Sequence, residues 1–91
     1  MIDYMVREKR NPNHTTLIAG WSQMLGMYVM SELENYSFVG FCYFYEITKE
    51  TYDRFEEPDF DPPGVRMLFS ESPVRKMSEN EMILREKFFG R

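Results

Sequence analysis

The run Ser37 to Ile47, Ser-Phe-Val-Gly-Phe-Cys-Tyr-Phe-Tyr-Glu-Ile, constrains the fold more than any other stretch of this chain. Aromatic and β-branched side chains suit a pleated, covered surface, so the run predicts a long strand. A period of two puts Phe38, Gly40, Cys42 and Phe44 on one side. Val39, Phe41, Tyr43, Tyr45 and Ile47 fall on the other. Both sides are apolar. Such a strand sits inside a sheet and must be covered above and below.

The rest of the chain has to supply those covers. Ile2, Tyr4 and Val6 alternate and predict a short first strand over 2–8, ended by the turn signal Asn11-Pro12-Asn13. Beyond it, apolar residues recur at 17, 18, 21, 24, 25, 28, 29 and 33. This spacing fits the 3.6-residue period and predicts a helix over 17–33, capped by Thr15 or Thr16. Gly20 and Gly26 count against it, each costing about 1 kcal/mol relative to Ala inside a helix. The competing arrangement is a hairpin of two strands, 17–24 and 27–33. Thr48 predicts the cap of a short helix reaching Phe55, and 56–64, with three prolines and a glycine, predicts a loop. Val65 to Ser70 predicts another strand. Ser78-Glu79-Asn80-Glu81 fits a capping box for a final helix stopped by Gly90. The sum is one α+β domain, 1–91: a small mixed or antiparallel sheet of about three strands with one long, one short and one C-terminal helix.

Charge is unevenly spread. The total is −4 at pH 7, but residues 46–61 carry seven acids against Lys49 and Arg54, while 11–45 hold only Glu32 and Glu34. No basic stripe is present to displace counterions, so direct nucleic-acid binding is disfavoured. No apolar run approaches the roughly 20 residues of a membrane-spanning helix. The single Cys42 cannot form an internal disulfide, and no signal-peptide pattern opens the sequence, which together predict a cytoplasmic location.

Catalysis finds little support. One His and one Cys exclude a Cys/His zinc site within one chain. Glu56, Glu57, Asp59 and Asp61 lack the ligand spacing of a Ca²⁺ loop. His14 and Cys42 form no credible nucleophile pair, because burial among Phe residues raises a thiol's pKa. No phosphate-cradling or dinucleotide signature occurs. The expectation is a protein that is not an enzyme and needs no cofactor or metal.

Three binding surfaces remain. Glu56, Glu57, Asp59, Phe60 and Asp61 form a Pro-stiffened acidic loop that would steer toward a basic partner, with Phe60 as the anchor. Trp21, Tyr28, Tyr43 and Tyr45, with Arg7 or Arg66 as the anion anchor, would suit a planar, nucleotide-like ligand at a subunit interface. If both main helices cover one side of the sheet, Phe38, Cys42 and Phe44 face water on the other. A second copy would then cover them, with Tyr36 at its edge.

Shortness, eight Met, fifteen aromatics and acidic bias resemble small phage-encoded proteins that disarm host systems, a likeness of composition that covers no motif. The function expected is a small acidic oligomer that binds and occludes another macromolecule. The alternative is a small-ligand module with the aromatic pocket.

Overall fold

The computed structural model describes residues 5–36, 39–61, 65–70 and 78–90, and for 34–36 and 39–41 the backbone alone. The chain is α+β, with five strands and two helices among the described residues. The strands are β1 (Val6–Asn11), β2 (His14–Ser22), β3 (Met27–Tyr36), β4 (Val39–Ile47) and β5 (Arg66–Ser70). The helices are α1 (Lys49–Asp53) and α2 (Glu79–Phe89). The strands lie side by side in chain order, each antiparallel to the next. No helix among the described residues is long and apolar enough to cross a membrane.

The helix expected over 17–33 is instead the β2–β3 hairpin, with Leu17 opposite Glu32 and Ser22 opposite Met27. Its turn explains both the reversal and one of the two glycines. Ser22 accepts twice, from the Leu25 N–H at its Oγ (3.1 Å) and from the Gly26 N–H at its carbonyl (2.8 Å). Gly26 adopts φ +67°, a left-handed conformation that glycine enters without a Cβ clash. Gly20 is needed for a different reason. A Cβ there would lie 2.9 Å from the Cβ of Met5 and 3.1 Å from the carbonyl oxygen of Val6, so β1 approaches this strand too closely for any side chain. Thr15 and Thr16, expected to cap a helix, are exposed residues of β2.

The helical spacing was misleading because both sides of this hairpin are covered. Leu17, Ala19 and Met30 are buried on one face and Val29 on the other. A strand apolar on both faces has no alternation to display, and the leftover spacing imitates 3.6.

The first strand is described from Val6 and runs to Asn11, past the end expected at residue 8, while Ile2 and Tyr4 lie outside the described residues. β1 carries a bulge between Val6 and Lys9, within which Arg7 takes φ +53°. A bulge of this kind twists an edge strand and spoils it as a template for pairing.

Each face of the sheet receives its own cover. On one, Tyr52 of α1 with Phe55 and Phe60 of the following loop packs on Leu17, Ala19, Met30 and Ile47. On the other, Phe88 of α2 packs with Val29, Phe44, Leu68 and Phe69, and Met5, Leu25, Met27, Cys42, Leu84 and Phe89 flank them. The α2 ends are built as the sequence predicts: Ser78 Oγ accepts the Glu81 N–H (3.3 Å), and Gly90 is left-handed with φ 72°. Thr48 likewise caps α1 (3.1 Å from the Thr51 N–H).

This arrangement corrects the expectation of an uncovered row on the 37–47 strand. Phe44 is 6% exposed, its ring stacked on Phe69 at 4.7 Å and tilted against Phe88 at 5.1 Å. Cys42 is half-buried beside the same cluster. The two helices lie on opposite faces, so the chain covers these positions itself. Phe38 lies outside the described residues, and Tyr36 is described in its backbone only, at the end of β3.

Candidate acidic cleft

Between the end of β4, α1 and the loop that follows it lies a cleft of about 600 Å³. Its charged lining is Glu46, Glu50, Glu57, Asp59 and Asp61 against Arg54 and Arg66; Ile47, Phe60 and Val65 contribute the apolar part. Each element has a local cause. Thr48 starts α1 and turns the chain away from the sheet. Arg54, the C-cap of α1, is already out of helical geometry with φ −96° and ψ 2°, and the chain proceeds by tight turns. The N–H groups of Glu57 and Phe60 donate to the carbonyls of Arg54 (3.1 Å) and Glu57 (3.0 Å).

Both arginines of the cleft are engaged by carboxylates. Arg54 meets Glu57 Oε2 at 3.2 Å, and Arg66 meets Glu46 Oε1 at 3.2 Å. The hydrogen bond from Arg54 to Glu57, reinforced by the charge of that carboxylate, holds the guanidinium above its ordinary pKa. On α1, Lys49 pairs in the same way with Asp53 at 2.9 Å, and its ammonium is raised for the same reasons in the same order. Glu50, Asp59 and Asp61 have no ion pair among the described residues, and all three are exposed. The cleft therefore presents carboxylates to solvent with its cations already neutralised.

Four of the five acidic-loop residues singled out in the sequence line this cleft: Glu57, Asp59, Phe60 and Asp61. Glu56 is exposed but does not line it. Phe60 does not project as an anchor. It is 7% exposed and its ring packs on Phe55 at 4.8 Å, so it joins the core and floors the cleft. Sequence reasoning missed Glu46 and Glu50, which belong to the same acidic block but reach the cleft from β4 and α1.

The four aromatic residues expected to line a pocket share the α1 side of the sheet and do not line the cleft. Trp21 sits edge-on to Tyr28 (4.8 Å), and Tyr28 stacks on Tyr52 (4.4 Å), which is capped in turn by the Lys9 ammonium at 4.3 Å from the ring centre. These rings fasten α1 to the sheet. Tyr45 packs against the α1-side core, and Tyr43 lies opposite Glu32 in β3. Arg7 is exposed in the β1 bulge, where its carbonyl accepts the Tyr52 hydroxyl. Of the six residues, Arg66 alone lines the cleft. Cys42 packs on the α2 side, whereas His14 faces the carbonyl of Phe60. Among the described residues no group of three or more His, Cys, Asp and Glu converges as a metal site.

Compared with protein-family models, curated proteins and solved structures, the chain matches none.

Proposed function

We propose that this chain is a binding protein, not an enzyme, that occupies a basic surface of another macromolecule through the acidic cleft and thereby occludes it. One observation carries this: the carboxylates of Glu50, Asp59 and Asp61 stand exposed around a cleft whose two arginines are already ion-paired. Desolvating an unpaired carboxylate is costly unless a cation meets it, so the cleft selects guanidinium or ammonium groups and repels phosphates. The burial of Phe60 favours docking by charge over insertion of an aromatic anchor. Long-range attraction of this kind speeds encounter and discriminates between partners more than it tightens the complex.

Self-association is a second component of the proposal. It rests on Leu33, 42% exposed and paired in register with Cys42 on the α2 side of the sheet.

The test uses octa-arginine as the probe, titrated against the intact chain and followed by NMR. At low salt the amides of residues 48–61 should shift, and affinity should fall as ionic strength rises. Asp59→Asn with Asp61→Asn should weaken binding several-fold. Failure to bind at low salt, or equal affinity in the double variant, would overturn the assignment.

A further inference from the structure

The wall of the cleft is tied down by a turn distant in sequence. Residues 55–60 contain no helix or strand to pair their carbonyls; Glu57 O takes the Phe60 N–H within the loop, and further donors come from outside it. Four of those carbonyls are met by three side chains of the turn at 11–14. Asn11 Nδ2 donates to Phe55 O (2.8 Å) and to Glu57 O (2.7 Å). Asn13 Nδ2 donates to Pro58 O (2.7 Å). His14 Nε2 lies 3.1 Å from Phe60 O. A carbonyl only accepts, so this ring nitrogen carries the proton. Asn11 Oδ1 also accepts the Asn13 N–H (2.8 Å), which fixes the turn that aims all three side chains.

From this geometry we infer that Asn13 and His14 are positioning residues for the cleft: they fix where Asp59 and Asp61 stand while touching no ligand themselves. Asn11 is 3% exposed and its side chain makes three hydrogen bonds, which makes it part of the core. Asn13 and His14 are exposed, and their side chains bond to the carbonyls of Pro58 and Phe60, the residues that bracket Asp59 and precede Asp61. Pro12 fixes its own φ and stiffens the turn in the conformation from which both side chains reach across. Set by the turn, the spacing of the two carboxylates becomes a property of the β1–β2 connection as much as of the loop that carries them.

The inference rests on the proposed cleft, and its test reads the two separately. Amide hydrogen exchange is measured on the full chain for wild type, for Asn13→Ala with His14→Leu, and for His14→Gln. Gln places an N–H donor near the position of Nε2. In the double variant, exchange at Glu57 and Phe60 should rise about tenfold, while Val29 and Met30 in β3 keep their wild-type rates. His14→Gln should restore most of the protection expected at Phe60. Octa-arginine affinity should fall several-fold in the double variant and hold in His14→Gln. Unchanged exchange at Glu57 and Phe60, or an equal rise across β3, would overturn the positioning role. Local acceleration in a protein whose wild type ignores octa-arginine would overturn the proposed function and leave the turn's hold on the loop established.

Discussion

If α2 is the cover for its face of the sheet, removing one ring from it should cost far more than trimming an exposed residue of the same helix. Phe88 is 1% exposed and lies 5.1 Å from Phe44, 5.6 Å from Phe69 and 5.1 Å from Phe89, ring centre to ring centre. Phe88→Ala leaves a void among rings that are themselves fixed by the sheet and cannot fully collapse into it. A buried Phe→Ala change costs about 3–5 kcal/mol. For a chain of 91 residues the unfolding entropy is about 0.2 kcal/mol/K, so Tm should drop by about 15–25 °C. Ile83, on the same helix but 56% exposed, is the control, and Ile83→Ala should change stability by no more than about 0.5 kcal/mol. Urea unfolding followed by circular dichroism and by the fluorescence of Trp21, the single Trp, gives both numbers. A Phe88→Ala loss below about 1 kcal/mol, or an Ile83→Ala loss of equal size, would mean that α2 does not close the sheet as described.

Asn11→Ala should cost about 2–4 kcal/mol in the same assay, because it removes two donors, one from the buried carbonyl of Phe55 and one from the half-buried carbonyl of Glu57, and one acceptor from the turn. Gly20→Ala should cost about 1–3 kcal/mol, since the added methyl must push β1 off β2; a neutral result would show that β1 yields freely at its bulge. If a second copy covers Leu33, sedimentation should give about twice 11.0 kDa for the wild type and a single chain for Leu33→Glu, whereas a wild-type mass near 11.0 kDa ends the case for association.

What could be read from the sequence tracks how local its cause is. The Thr48 and Ser78 caps, the Gly90 stop, the Asn11-Pro12-Asn13 turn and the long apolar strand depend on neighbours within a few positions, and all stand. The hairpin stood in the sequence only as the alternative to a helix, because its covers, α1 and α2, come later in the chain and erase the alternation that would have marked strands. Gly20 and Gly26 were the residues that registered it, one a steric necessity against Met5 and the other a left-handed turn. The acidic cleft was half legible. Its loop carboxylates stand out as a block of charge, but the packing of Phe60 on Phe55 and the reach of Asn13 and His14 are tertiary facts with no signature in spacing.

Because each strand of the sheet lies beside its neighbour in sequence, β1 to β4 can zip together in chain order with little loop to close at each step, whereas β5 follows the long connection 48–65. The fastening of residues 55–60 belongs to another stage, since the groups that meet there are 44 to 46 positions apart. The acidic wall therefore takes its final form only after the first and last thirds of residues 5–60 have met, and an incompletely assembled chain would show carboxylates without the spacing that makes them selective.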